Sequence, residues 1–172
     1  MIIRAETPAD YPAIRVVVDA AFGDTITGDL VEMIRRSDRY VPDLSLLAVS
    51  RGQTVGHVMS SHVDLHLVPG TRRVLQVGPL AVAPAHQGQG IGSALMHETI
   101  RIAEEHGEPL LLIEGNPKYY GRFGFTRADA HGIEPPPEAR GPQFFMLRPL
   151  AAYDPNLRGR AAYPPETFGA VS

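Results

Sequence analysis

Two clusters of residues in this sequence could do chemistry. The first is Gln87-Gly88-Gln89-Gly90-Ile91-Gly92, set between a strand pattern (Val74 to Ala83) and a helical one (Gly90 to His106). A glycine loop that opens a helix right after a strand is a place to bind phosphate. The first helical N–H groups have no internal partner, and the helix dipole puts about half a positive charge there. The second cluster is Tyr119-Tyr120, just ahead of Phe123-Gly124-Phe125. A phenol with a pKa near ~10 stays protonated at neutral pH, so it is either a proton donor or a packing aromatic with a satisfied hydroxyl.

A glycine loop alone admits several ligands. A Walker-type loop needs G-x-x-x-x-G-K-[ST], and no lysine lies near this one. A dinucleotide loop is a closer rival: Gly88-x-Gly90-x-x-Ser93 is a near match, and Glu114 ends the next strand where a ribose-binding carboxylate would stand. Against it, Pro84 to Gln87 separate the strand from the first glycine, where that fold turns tightly. The stretch after Glu114 is also too short for a second nucleotide-binding half.

The elements around these clusters can be read from periodicity. Ile2-Ile3-Arg4 is an opening strand. Thr7-Pro8 starts a helix, with Ile14, Val17, Val18, Ala21 and Phe22 toward the core and Gly23 at its end. A second helix is predicted from Gly28 to Arg36, with Leu30, Met33 and Ile34 on one side. Leu44–Ser50, the turn Arg51-Gly52-Gln53, a strand from Thr54 to about Leu67, the turn Val68–Thr71 and the strand Val74–Ala83 make a meander. Gly78-Pro79 marks either a bulge or a simple kink.

The pattern then changes to strand, helix and strand. Leu110-Leu111-Leu112-Ile113 is an unbroken apolar run of the kind buried on both faces, parallel to Val74–Ala83. Phe123–Arg127 and Gln143–Arg148 read as the last strands. The Ala128–Arg140 connection is polar and proline-rich. The sequence divides into a domain over 1–149 and a tail over 150–172, read as irregular and packed back through Tyr153, Leu157, Tyr163 and Phe168.

Composition narrows the partners. The chain has 172 residues, 44% hydrophobic and 20% charged, as expected for one globular domain. A net charge of −3 argues against a non-specific nucleic-acid binder. No apolar run reaches the ~18–20 residues of a membrane helix. The N-terminus lacks a signal-peptide pattern, so the expected location is the cytoplasm. With no cysteine, disulfides, thiolate metal sites and cysteine nucleophiles drop out together.

Taken together, the residues resemble a GNAT-superfamily N-acetyltransferase. The match rests on Leu80-Ala81-Val82 at a strand end, the Q-x-x-G-x-G motif at Gln87, Gly90 and Gly92, the buried strand ending at Glu114, and Tyr120 four residues before Gly124-Phe125. The run Tyr119–Phe125 is similar to the YhbS-like branch of predicted bacterial acetyltransferases. The resemblance covers Ile2 to Pro149. It implies an α/β fold of the α+β mixed-sheet kind: a central, mostly antiparallel sheet with a βαβ coenzyme-binding unit and flanking helices.

The resemblance also implies roles. Acetyl-CoA is the co-substrate, and no metal is expected. Gln87, Gly88, Gln89, Gly90, Ile91, Gly92 and Ser93 are expected around the pyrophosphate, Leu80, Ala81 and Val82 along the pantetheine, and Asn116 and Tyr119 as further coenzyme neighbours. A neutral amine attacks the thioester directly; Tyr120 would protonate the departing thiolate, and the Val82 N–H would meet the oxyanion. Asn116 departs from the family, in which many members carry an asparagine about seven residues before the tyrosine; here it is four before, so the helix must be shortened. Glu32, on the helix that walls the acceptor side in this family, is the candidate catalytic partner, with His57, His62 and Glu114 as rival bases. His62 and His66 share a strand face without enough ligands for a metal.

The resemblance implies that the acceptor is a primary amine of a small molecule, peptide or protein. The sequence leaves open which one, and whether the tail closes the acceptor side or makes a homodimer contact. A non-catalytic acyl-CoA binding or sensing module would keep the same loop without needing Tyr120.

Overall fold

The computed structural model describes residues 1–167. Nine strands occur among them: β1 (Ile2–Ala5), β2 (Tyr40–Ser50), β3 (Gln53–His66), β4 (Thr71–Val82), β5 (Leu110–Glu114), β6 (Thr126–Arg127), β7 (Ile133–Glu134), β8 (Phe145–Pro149) and β9 (Gly159–Ala162). The α-helices are α1 (Tyr11–Phe22), α2 (Ile26–Arg36), α3 (Ile91–Glu105) and α4 (Pro117–Tyr120). The strand order is β1-β2-β3-β4-β5-β8-β6, with β9 pairing both β3 and β7. The chain forms two compact units, one of residues 1–61 and 78–103, the other of 62–77 and from 104 onward.

In the first unit β1 and β2 run antiparallel, Ile2 opposite Val49 and Ala5 opposite Leu46. β2 turns into β3 through Arg51 (φ 49°) and Gly52 (φ 76°), a two-residue turn whose positive φ values match the twist of the flanking strands. β2 starts at Tyr40, four residues before the apolar run that betrays it in the sequence, and its pairing with β3 is irregular between Tyr40 and Ser45.

α1 buries Ile14, Val17 and Val18 as expected, whereas Phe22, in its last turn, is 46% exposed. Gly23 closes the helix in the left-handed conformation. α2 begins two residues earlier than predicted and buries Leu30, Val31 and Ile34, leaving Met33 half-buried. α3 buries Ile91, Gly92, Leu95, Met96, Thr99 and Ala103. Gly56 of β3 makes room for its first turns: a Cβ there would lie 2.9 Å from Ile91 Cγ2 and 3.0 Å from Leu95 Cδ1.

In the second unit β4 and β5 are parallel, Leu75 opposite Leu111 and Val77 opposite Ile113, as the strand–helix–strand reading requires. β8 pairs antiparallel with β5, Leu110 opposite Pro149 and Glu114 opposite Phe145. Leu110, Leu112, Phe145 and Leu147 meet in the core with Val63, Leu65 and Val74.

Two expectations change here. Phe123–Arg127 is not a strand throughout: Gly121–Phe123 is a 3-10 turn, and only Thr126–Arg127 pairs with β8. Gly124, at φ 83°, breaks the run. The tail is not wholly irregular either. β9 pairs antiparallel with β3, Asp64 opposite Ala162, and parallel with β7, Ile133 opposite Gly159. Leu157 and Tyr163 pack into this unit's core, along with Tyr153, as expected. Phe168 lies outside the described residues.

Candidate functional site

The glycine loop belongs to the first unit. After β4, a 3-10 turn at Pro84–His86 leads into Gln87, and the exposed residues Gln87 to Gly90 follow. Gly88 and Gly90 have φ of 73° and 82°, and nothing lies within 4 Å of where their Cβ atoms would be. These glycines are therefore required by backbone conformation, not by crowding. The first bond inside α3 runs from the Ala94 N–H to the Gly90 carbonyl (3.0 Å), so the N–H groups of Ile91, Gly92 and Ser93 precede the helix's own ladder.

Gln87 does something the sequence did not disclose. Its side-chain amide donates to the Val82 carbonyl at 3.1 Å and ties the loop to the end of β4. Gln89 donates to the Ala85 carbonyl at 3.4 Å. Ala81 is buried, with Leu80 and Val82 half-buried on either side of it. β4 remains one strand through Gly78 (φ 131°).

Tyr120 belongs to the second unit. Asn116 caps α4, its side chain accepting the Lys118 N–H at 2.9 Å, and its carbonyl accepts the Tyr119 and Tyr120 N–H groups. The shortened helix expected from the Asn116 spacing is present as a single turn. Tyr119 and Tyr120 meet edge to face, centroids 4.9 Å apart, and Tyr120 also touches Phe125 at 6.1 Å. The Arg122 guanidinium covers Tyr119 at 4.5 Å. Burial, reinforced by Tyr119, pushes the Tyr120 phenol up to about 12, so it is protonated throughout the neutral range.

The remaining candidates separate clearly. Glu32 is partly exposed, accepts from Arg15 Nη1 at 3.1 Å, and borders a cavity of about 330 Å³ with Tyr11, Arg35 and Arg36. Arg15 also pairs with Asp19 (2.7 Å) and Asp29 (2.9 Å). His57 is fully buried; its Nε2 lies 2.9 Å from Glu6 and 3.2 Å from Ser45. Burial holds it below the ordinary histidine pKa, although Glu6 pulls the other way. It is a core residue. His62 faces Glu108 at 3.4 Å and His66 faces Thr71 at 3.2 Å. Among the described residues no group of side chains could hold a metal ion, and no helix is long and apolar enough to cross a membrane.

Sequence reasoning missed two networks. Glu6 accepts two bonds from Arg35 (2.8 and 2.9 Å) and one from Tyr40 (2.9 Å), besides meeting His57. Gln76, Tyr163, Glu114 and Arg140 form a second chain. Their members are too far apart in sequence for any local spacing to signal them.

The Acetyltransferase (GNAT) domain family matches residues 2–128. The chain belongs to this GNAT family. It is 31% identical to the uncharacterized N-acetyltransferase YjhQ of Escherichia coli K12 over 169 residues, covering 95% of this chain and 93% of that protein. It is 32% identical to the uncharacterized N-acetyltransferase YhbS of the same strain over 134 residues, covering 77% and 78%. The GNAT fold is equally plain. The crystal structure of E. coli YhbS in complex with CoA superposes with a TM-score of 0.84 at 29% identity, covering 96% of this chain and 90% of that one. A GNAT acetyltransferase of Brucella melitensis in complex with acetyl-CoA gives 0.77 at 29%, covering 96% of each.

Proposed function

We propose that this GNAT chain transfers the acetyl group of acetyl-CoA directly to a primary amine of a small molecule, peptide or protein. The observation that carries this reading is the exposed loop Gln87–Gly90, with two left-handed glycines delivering three unladdered N–H groups at the start of α3. Such a loop suits a pyrophosphate, and two similar structures contain CoA or acetyl-CoA.

The family pattern assigns the parts. The backbone and side chains of Gln87, Gly88, Gln89, Gly90, Ile91, Gly92 and Ser93 take the pyrophosphate. Leu80, Ala81 and Val82 take the pantetheine, with the Val82 N–H meeting the oxyanion. Asn116 and Tyr119 shape α4 on the coenzyme side. Glu32 stands on the acceptor side, where its carboxylate borders a cavity. The amine nitrogen bonds to the acetyl carbon, the C–S bond breaks, and the sulfur leaves as thiolate.

Tyr120 meets that thiolate. A phenol at about 12 facing a thiol near ~8.5 is uphill for complete proton transfer by roughly 5 kcal/mol. Its main contribution is therefore a hydrogen bond to the developing thiolate, with the proton crossing as solvent resupplies it.

Calorimetric titration with acetyl-CoA and with NAD tests the loop: binding of NAD and not acetyl-CoA would overturn the reading. Tyr120→Phe should keep acetyl-CoA affinity and lower turnover on accepted amines at least tenfold. A sensing module on the same fold remains the second reading, because the loop geometry serves it equally. It is favoured if acetyl-CoA binds and no amine is ever acetylated.

A further inference from the structure

Glu114 and Tyr120 leave the same end of β5. Glu114 is its last residue, and the ring of Tyr120 lies against Gly115, the residue after it. The Glu114 carboxylate is fixed from both sides. Oε1 accepts the Arg140 backbone N–H and Nε, each at 3.0 Å, and Oε2 accepts the Tyr163 hydroxyl at 3.1 Å. Tyr163 immediately follows β9, whose register on β3 and β7 delivers it.

The direction of these bonds is forced. A carboxylate only accepts, so Tyr163 must donate to Glu114. The phenol oxygen then accepts from Gln76 Nε2, at 3.0 Å. That orientation leaves Gln76 Oε1, on a side chain 97% buried, without a hydrogen-bond partner among the described residues. An unsatisfied buried acceptor costs about 1–3 kcal/mol. An apolar residue at 76 would avoid that cost, and the exposed Arg140 alone would already pair Glu114. Local rules broken inside a well-packed core mark functional positions. Behind the exposed Arg140, the Glu114 side chain remains 19% exposed; Gln76 is the innermost member.

We propose that Glu114 is the carboxylate that receives the acceptor's amino group as a primary ammonium, and that Tyr163 and Gln76 are positioning residues for it. This rests on the acetyltransferase reading and names its substrate class: an aliphatic amine that arrives charged. The carboxylate holds the ammonium by charge and hydrogen bonding, and one ammonium proton passes to solvent before the neutral nitrogen attacks the acetyl carbon. Arg140 offsets part of the carboxylate's charge and so keeps its hold on the ammonium reversible.

The probe is n-butylammonium, with n-butanol as the uncharged control, added to the full chain loaded with CoA. Saturation-transfer NMR should show n-butylammonium binding and no n-butanol binding. Glu114→Gln should abolish the signal, and Tyr163→Phe should weaken it at least threefold, both with unchanged circular dichroism. Equal signals in wild type and Glu114→Gln, or none in wild type, overturn the proposal. With acetyl-CoA in place of CoA, Tyr163→Phe should raise KM for butylamine and shift the pH profile of kcat/KM, while KM for acetyl-CoA stays put. An unmoved pH profile and amine KM would leave Tyr163 merely structural and sink its assignment. Binding as described without acetylation would instead sink the transferase reading and leave the ammonium site standing.

Discussion

The ring of Tyr120 rests directly on the backbone of Gly115: a Cβ on that glycine would overlap Cε2 and stand 2.8 Å from Cδ2. Gly115 is not among the residues with positive φ, so its backbone would accept any side chain. The glycine is there for the ring. Gly115→Ala should displace Tyr120 and reduce turnover to near the level of Tyr120→Phe, without changing KM for acetyl-CoA. The double variant should be no slower than either single one. Steady-state kinetics on the three proteins checks this; additive losses would show that Gly115 acts elsewhere.

Gly88 and Gly90 give the opposite case. Their surroundings are open, so an added methyl meets nothing, but an L-residue at φ near 73° or 82° costs about 1–2 kcal/mol. Gly88→Ala and Gly90→Ala should weaken acetyl-CoA binding roughly tenfold by calorimetry. Glu6 and Arg35, being remote in sequence from the loop, make suitable controls for simple loss of fold.

Glu6 should control acid stability. Burial works to raise its pKa, but bonds from Arg35 and His57 outweigh it and bring the carboxyl down to about 2, against an ordinary 4.5. A depressed carboxylate contributes stability above its unfolded pKa and loses it as pH falls through the folded one. Stability should therefore fall between about pH 4.5 and 2. His57 adds to the trend from about pH 6.5 downward, because it is buried neutral and gains its proton only on unfolding. Urea unfolding at a series of pH values reads both. Arg35→Ala should cost about 3–5 kcal/mol at neutral pH by leaving Glu6 buried without its ion partner, and should flatten the profile below pH 4.5.

Gly56→Ala probes the seat of α3. The new methyl would press on Ile91, Leu95 and the Ala81 carbonyl, at 2.9, 3.0 and 3.3 Å. Overpacking of this kind costs about 1–3 kcal/mol. Thermal unfolding with and without acetyl-CoA should show a lower Tm in both, with the ligand-induced rise reduced as the helix start shifts.

The sequence made some features legible and hid others for physical reasons. Elements with a strong period or an unbroken apolar run, such as α3 and β5, could be bounded to within a residue or two. The left-handed glycines of the loop and the short helix carrying Tyr120 were readable because glycine conformations and motif spacing are local. Glu6, Arg35, Tyr40 and His57 were not, since only the folded sheet brings them together; His57 looked like a free base in sequence and proved to be sealed in the core. β9 was missed because Gly159–Ala162 is short and weakly apolar and gains its strand form from its neighbours.

The pairing of β9 with β3 joins Asp64 to Ala162, about 100 residues apart. During synthesis β3 leaves the ribosome long before β9 exists. A sheet position flanking β3 thus stays unfilled while most of the chain is already made, and Tyr163 cannot reach Glu114 until β9 docks. Docking of β9 therefore precedes the bond that holds the Glu114 carboxylate from the Tyr163 side, which makes that docking a late step in completing this network.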